Sequence, residues 1–228
     1  MLVSHLLKAL CYAYCSYSAL ALAFNISSNS NYVSYYGQNS GRNQKPLGEY
    51  CQDTIEDVIV LSFMNGFPGV LMNFANACET TFPGSTLLHC PTIASDIKYC
   101  QSRGKAYYIA AAPQCPFPDA YVGSTLNSAW FDMVFVQFYN NYCGLNAYPG
   151  WFNFGDWDNW AKTQSINKDV RVFIGAPGSP SAASSGYIDG STLGKIYKDM
   201  LAKHTSLGGI MTWDVSQSRT SGIANTIR

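Results

Sequence analysis

Asp132-Met-Val-Phe-Val-Gln-Phe-Tyr-Asn-Asn-Tyr-Cys143 is the stretch that decides the fold of this chain. It begins as a nearly unbroken run of apolar, β-forming residues, which is typical of a parallel strand covered on both faces. The run ends in polar side chains, which are Gln137, Tyr139, Asn140 and Asn141. Parallel-sheet folds place ligands at this carboxyl end. Amides beside a phenol suit a neutral, sugar-like ligand, and a buried strand with a polar loop is the alternative interpretation.

Similar apolar runs alternate with helical patterns along the rest of the chain. We predict five further strands at about residues 32–36, 57–64, 106–112, 170–175 and 208–214. We predict helices at about residues 48–54, 91–103, 122–129, 156–165 and 191–203. Alternating strands and helices indicate an α/β fold of the (β/α)8 barrel type. Six strands are recognisable, so the predicted barrel is incomplete.

Composition excludes several classes of function. Charged residues make up 12% and aromatic residues 14% of the 228 residues, and the formal net charge is zero. Nucleic-acid binding needs clustered basic residues, so we expect none. The three histidines, His5, His89 and His204, are isolated, so we expect no metal and no cofactor.

The N-terminus has the pattern of a secretory signal peptide. A weakly basic start precedes an uncharged apolar segment, and Ala21-Leu22-Ala23 predicts cleavage after Ala23. A transmembrane anchor is the alternative, but several tyrosines and serines interrupt the segment. We therefore expect residues 1–23 to be removed and the product to be secreted, extracellular or in the cell wall, without a membrane span. Residues 24–31 form a polar linker with one glycosylation sequon, at Asn25.

Six cysteines remain after this cleavage: Cys51, Cys78, Cys90, Cys100, Cys115 and Cys143. An even number in a secreted chain predicts three disulfides. Six cysteines allow fifteen pairings, and their spacing alone does not select one.

Five short segments match a known family in order: Tyr35-Tyr36-Gly37-Gln38-Asn39, Val60-Leu61-Ser62-Phe63-Met64-Asn65, Ala110-Ala111-Ala112-Pro113-Gln114-Cys115-Pro116, Gln137-Phe138-Tyr139-Asn140-Asn141 and Gly209-Ile210-Met211-Thr212-Trp213-Asp214. Together they resemble the glycoside hydrolase family 18 chitinases, specifically the small secreted single-barrel type of fungi and plants. The resemblance covers about residues 32–215 and is specific in combination, although each segment alone is weak.

The resemblance implies a (β/α)8 barrel that hydrolyses β-1,4-linked N-acetylglucosamine polymers. In this family a glutamic acid protonates the glycosidic oxygen, and the N-acetyl group of the substrate attacks the anomeric carbon. The implied partners are chitin or N-acetylglucosamine oligosaccharides, and we expect a monomer. The resemblance also implies the disulfides Cys51–Cys100, Cys78–Cys90 and Cys115–Cys143.

The family's catalytic glutamate belongs to a D-x-x-D-x-D-x-E motif, which this sequence lacks. The family's Ser-x-Gly-Gly motif is also absent. In similar proteins both motifs precede the strand that begins here at Ala106, so the barrel domain of residues 32–228 carries an internal deletion near 105/106. The family's usual length implies that roughly 70 residues are missing, which are the third and fourth βα units. A barrel without these units either closes with six strands, which leaves a narrow interior, or stays open with two exposed edge strands.

No carboxylate pair replaces the missing acid. Asp119 and Asp214 fall at predicted strand ends without a glutamate beside them. Asp132 starts its strand and therefore faces the other end of the barrel. Asp156 and Asp158 fall at a predicted helix start, where capping is the expected role. We therefore predict that the chain has no catalytic acid and is inactive as a chitinase.

Several binding positions of the family are retained. The resemblance gives Tyr139 the role of holding the N-acetyl group, in support of catalysis. It makes Trp213 the apolar floor under the sugar, for which a core indole is the alternative. The other implied contacts are Tyr35, Phe63, Gln137 and Asn140. Three hypotheses follow: a chitinase, an inactive chitin-binding lectin, and a non-functional product of splicing or of a faulty gene model.

Overall fold

The computed structural model describes residues 24–52, 55–66, 71–85, 88–101 and 108–227. The predicted signal peptide at residues 1–23 and the predicted deletion point at 105/106 lie outside the described residues. Within the described residues, no helix is both long and apolar enough to cross a membrane.

Six parallel strands form one curved sheet, the predicted incomplete barrel. The strands are β1 (Asn31–Tyr36), β2 (Val58–Leu61), β5 (Ala110–Ala111), β6 (Met133–Gln137), β7 (Arg171–Pro177) and β8 (Leu207–Trp213). Their order across the sheet is β2-β1-β8-β7-β6-β5. Among the described residues, β2 and β5 are the two edges of the sheet. The expected six-stranded incomplete barrel is confirmed.

Helices follow the strands and cover the outer face of the sheet. They are α1 (Leu47–Tyr50), α2 (Pro91–Gln101), α3 (Gly123–Ser128), α4 (Phe154–Thr163), α5 (Gly190–Lys203) and α6 (Val215–Ser221). Asp189 caps α5 by accepting a hydrogen bond from the Thr192 N–H at 3.0 Å. Helix α4 buries Trp157 and Trp160 completely, so this part of the sheet has a well-packed outer layer.

The inner face of the sheet has its own apolar core. Its buried members are Val33, Tyr35, Met133, Phe135, Phe173 and Met211. Phe24 and Ile26 from the segment before β1 pack against this core, and the Phe24 ring meets Tyr108 edge-on at 5.3 Å. The interior is therefore filled by side chains from the strands and from the segment that precedes them.

The second predicted strand is shorter than its apolar run. It ends at Leu61, and Met64–Gly66 forms a separate antiparallel pair, β3, with β4 (Leu71–Met72). The cause is that the Phe63 and Asn73 backbones exchange two hydrogen bonds, at 2.7 and 2.8 Å, which turn the chain away from the sheet. The predicted strand at 106–112 contains only Ala110–Ala111 as regular strand, and residues 102–107 are not described.

Three disulfides cross-link the described chain: Cys51–Cys100, Cys78–Cys90 and Cys115–Cys143. They are the pairs that the family resemblance implies. The first joins α1 to α2, and the third joins the loops that leave β5 and β6. The site end of these two strands is therefore held covalently.

Candidate functional site

Three aromatic rings meet at the carboxyl end of the sheet. The Trp213 and Phe63 rings stack with their centroids 5.7 Å apart and an interplanar angle of 12°. The Tyr35 ring lies 5.5 Å from Trp213 and 5.6 Å from Phe63. The structure thus brings together three of the predicted site residues from β1, β8 and the loop after β2.

The strand pattern explains why these rings converge. Side chains alternate between the two faces of a strand, and Tyr35 and Val33 both face the interior core. Trp213 is the last residue of β8, at the mouth of the barrel. Its ring is only partly buried, so an apolar surface remains available at the mouth.

Tyr139 follows β6 by two residues and is 6% exposed. Burial raises the pKa of its hydroxyl, so the group stays protonated and able to donate a hydrogen bond. Burial also raises the pKa of Tyr35, and the neighbouring Tyr139 raises it further. Both phenols therefore stay neutral.

Gly186 sets the position of Tyr139. A Cβ at Gly186 would lie 2.6 Å from the Tyr139 Cα, and its φ of +96° belongs to the region that favours glycine. The loop after β7 therefore packs directly on the Tyr139 backbone. Sequence reasoning missed this residue, because the contact joins two loops that are far apart in the chain.

The two predicted amide contacts are engaged within the protein. Gln137 donates its Nε2–H to the Ala112 carbonyl at 2.8 Å, which ties the end of β6 to the end of β5. Asn140 has an exposed side chain whose Oδ1 accepts hydrogen bonds from the Ser184 and Ser185 N–H groups at 2.8 and 3.2 Å. Both amides thus organise the rim of the site.

The carboxylates near the strand ends also have structural partners. Asp119 accepts N–H groups from Gln114, Tyr121 and Val122 at 2.6 to 2.9 Å. Asp214 is completely buried, caps α6 through the Gln217 N–H at 3.1 Å and accepts the Ser40 N–H at 2.8 Å. Neither carboxylate has the free, proton-donating environment that a general acid requires.

Glu49, Glu56 and Asp132 also have partners within the protein. Buried Glu56 pairs with Arg219 of α6, and Glu49 forms an exposed pair with Lys45 at 3.3 Å. Asp132 precedes β6, where it accepts the Ile109 N–H at 2.8 Å. Its position at the amino end of β6 agrees with the expectation from the sequence.

The capping role expected for Asp156 and Asp158 is wrong. Helix α4 begins after Asn153 and has no side-chain capping hydrogen bond. Asp158 lies one turn later and is buried, and its oxygens accept hydrogen bonds from Lys162 of the same helix and from Ser206 before β8. Its Oδ1 accepts the Ser206 hydroxyl at 2.7 Å, and its Oδ2 lies 2.6 Å from the Lys162 ammonium.

The pKa of Asp158 reflects this surrounding network. Burial alone would raise the pKa, but hydrogen bonds from Lys162, Ser206 and His204 outweigh burial and lower the pKa to about 2. Asp158 is therefore a structural anion, and its distant partners Ser206 and His204 were not recognisable from local spacing.

A cleft of about 390 Å³ lies away from the aromatic site, between α1 and α6. The Tyr50 ring and the Arg219 guanidinium, 5.5 Å from its centroid, help to line the cleft.

Among the described residues, no group of His, Cys, Asp and Glu could hold a metal ion. The Asn25 side chain of the predicted sequon is exposed.

No protein-family model matches the chain. Chitinase 3 of Candida albicans is 35% identical over 289 aligned positions, which cover 90% of this chain and 50% of the relative. The endochitinase of Saccharomyces cerevisiae is 35% identical, with coverage of 86% and 48%. The chain spans about half the length of these two relatives. Endochitinase 33 of Trichoderma harzianum is 31% identical, with coverage of 88% and 90%.

Solved structures share the fold at lower sequence identity. A chitinase from Ipomoea carnea superposes with a TM-score of 0.67 and 21% identity, and the match covers 87% of this chain and 98% of that protein. A chitinase-like lectin from tamarind has a TM-score of 0.65 and 18% identity, with coverage of 87% and 99%. The six strands described above therefore lie on a barrel framework that solved proteins also adopt.

Proposed function

The chain belongs to glycoside hydrolase family 18, the chitinase family, and we propose that it is a secreted protein that binds chitin or N-acetylglucosamine oligosaccharides without hydrolysing them. The observation that carries the proposal is the open sheet, whose edges in the described part of the chain are β2 and β5. In the complete family barrel, the third and fourth strands would stand between these edges. The fourth strand carries the family's catalytic motif.

The length of the alignment with a relative supports the interpretation that two βα units are missing between β2 and β5. The 289 positions aligned with Chitinase 3 cover 90% of this chain, which is about 205 of its 228 residues, so about 84 positions (289 − 205) have no counterpart here. Two βα units average about 60 residues in a barrel of about 250 residues, so the gap is large enough to contain both.

The engaged carboxylates support the loss of hydrolysis. A general acid must hold a proton near neutral pH and reach the leaving oxygen. Asp119 and Asp214 instead accept three and two backbone N–H groups respectively, so their oxygens are engaged within the protein. Losing a general acid typically costs about 10²–10⁴ in rate.

The retained aromatic site supports the binding half of the proposal. Trp213 offers a partly exposed ring backed by Phe63 and Tyr35, and an apolar ring face suits the apolar face of a sugar. Tyr139 keeps its proton and suits an N-acetyl carbonyl as acceptor. Gln137 and Asn140 hold the rim of the site in place. Their remaining polar atoms would make the ligand contacts that the resemblance implies.

Secretion is supported by the three disulfides, which persist in oxidising compartments. The exposed Asn25 is then available as a glycosylation acceptor in the secretory pathway.

The first test compares hydrolysis with binding in the purified, disulfide-bonded chain. With a fluorogenic chitobioside, we expect turnover at least about 100-fold below that of Endochitinase 33 of Trichoderma harzianum measured in parallel. With chitotetraose in a calorimeter, we expect measurable binding. Turnover comparable with the control would refute the loss of hydrolysis, and absence of binding to chitotetraose and to insoluble chitin would refute the binding role.

Two variants test the site itself. Trp213→Ala should weaken chitotetraose binding about tenfold or more, because the floor under the sugar is lost. Tyr139→Phe should weaken it about three- to tenfold, the worth of one hydrogen bond. Tyr197→Phe is the matched control, since its hydroxyl donates to the Asn29 carbonyl at 2.8 Å, next to the start of β1. Equal losses in all three variants would argue against the assigned site.

The alternative origin of the chain makes a different prediction. If the chain results from a skipped exon or a wrong gene boundary, the natural transcript encodes the D-x-x-D-x-D-x-E motif between Lys105 and Ala106. Sequencing the transcript across this junction decides the matter. A transcript with that motif would replace the proposal with chitin hydrolysis by the longer product.

A further inference from the structure

Two large aromatic side chains lie side by side on the surface. Tyr142 is 62% and Trp151 is 70% exposed. Their rings meet edge-on, with centroids 6.1 Å apart and an interplanar angle of 89°. Because exposed neighbouring aromatic rings are unfavourable in water, they mark a contact surface more often than single exposed residues do.

The segment that carries this pair is held firmly. Tyr142 directly precedes Cys143, which is bonded to Cys115. The Leu145 N–H donates to the Phe138 carbonyl at 2.8 Å, and the Trp151 N–H donates to the Ala147 carbonyl at 3.1 Å. A ligand that contacts these rings would therefore not have to order a mobile loop, which lowers the entropic cost of binding.

The position and charge of the segment identify the kind of ligand. The segment leaves the carboxyl end of β6, which is also the end that carries Tyr139 and the aromatic floor. Residues 138–153 contain no Asp, Glu, Lys or Arg. An uncharged surface of aromatic rings and amides suits a neutral polymer with apolar ring faces and amide groups, and it does not suit an acidic or basic partner.

We propose that Tyr142 and Trp151 form an outer contact for polymeric chitin, beyond the Tyr139–Trp213 site. This inference rests on the proposed function and extends it from short oligosaccharides to the insoluble polymer. The inner site would hold one or two sugar units, and the outer pair would contact units farther along the same chain or on a neighbouring chain of the solid. Two linked contacts raise the overall affinity without strengthening either one.

The test uses the full disulfide-bonded chain with Tyr142→Ala and Trp151→Ala combined. Retention on insoluble chitin should fall about tenfold, whereas calorimetric binding of chitobiose should stay unchanged. Trp130→Ala is the matched control, because its indole is 54% exposed and precedes β6 at the opposite end of the strand. That control should change neither measurement. Thermal unfolding of each variant should show that the fold is kept.

The outcomes separate the outer contact from the inner site. Unchanged retention of the Tyr142/Trp151 double variant on chitin would overturn the outer contact while leaving the proposed function intact. A shift of the double variant from dimer to monomer in sedimentation, with retention unchanged, would assign the pair to self-association and would also overturn it. Loss of chitobiose binding in the double variant would place the pair in the inner site and refute the separation. Failure of the unaltered chain to bind either ligand would refute the proposed function itself.

Discussion

Replacing Asp158 by asparagine gives the sharpest test of how the outer layer of helices is fixed. The carboxylate joins α4 to the end of α5 through His204, at 3.1 Å, and to the start of β8 through Ser206. Asparagine keeps the size of the side chain but removes the charge. It also places an NH₂ group against donors such as Lys162.

The effect on stability depends on pH in a definite direction. The folded pKa of Asp158 is about 2, below its ordinary value of 3.8. The ionised form therefore stabilises the fold fully above about pH 5, and this contribution is lost as the pH falls through 4 towards 2. The difference between the two pKa values corresponds to about 2.4 kcal/mol. Because Lys162 is 44% exposed and solvent screens its charge, we expect about 1–2 kcal/mol at pH 6 and about half of that at pH 3.

Urea unfolding of the unaltered chain and of Asp158→Asn at pH 6 and pH 3 measures this contribution. The difference in unfolding free energy between the two proteins should shrink by about 0.5–1 kcal/mol at the lower pH. Asp156→Asn is the control, since Asp156 is exposed on the same helix and carries the same charge. A difference that stays constant between the two pH values would show that Asp158 does not titrate with a lowered pKa and would refute the reasoning.

Three further experiments test other parts of the fold. Cys115→Ala combined with Cys143→Ala opens a loop of 28 residues and should lower the unfolding free energy in urea by about 3–4 kcal/mol. Gly175→Ala places a Cβ 2.3 Å from a carbonyl oxygen of β6 and should lower the melting temperature, whereas Gly194→Ala, with open space around it, should leave it equal or raise it. Asn140→Ala removes the acceptor of two loop N–H groups and should therefore speed amide exchange at residues 184–185. The φ of +59° at this position also disfavours alanine, which should loosen the loop further.

The strands that sequence reasoning located best are those buried on both faces. The β6 and β7 segments, Met133–Gln137 and Arg171–Pro177, are almost wholly buried, so their apolar runs are continuous and distinctive. The end of β2 was placed too late. Its apolar run continues into Phe63, but pairing with Asn73 takes the backbone out of the sheet, and an apolar run carries no information about that partner.

The aromatic part of the site was predicted from the family resemblance, and the positions of the strands explain why its rings meet. Trp213 closes β8 and Tyr35 lies in β1, so parallel pairing brings them to one mouth. The long-range contacts that hold the site and its surrounding helices in place were not predictable. Gly186 packs against Tyr139 although it lies 47 positions later in the sequence. Asp158 accepts a hydrogen bond from Ser206, which lies 48 positions later. Such contacts exist only once the elements have packed.

The position of β1 between β2 and β8 has a consequence for biosynthesis. Ser34 of β1 is in register with Thr212 of β8, so the first strand made is paired on one side by the last. At about 5–20 residues per second, the ribosome needs roughly 9–36 s to make the intervening chain. Until then, the β1–β2 pair and the β5–β7 group are separate fragments with exposed apolar faces. A nascent chain of this protein therefore depends on β8 to join the two groups of strands, and a stop codon before β8 would leave them separate.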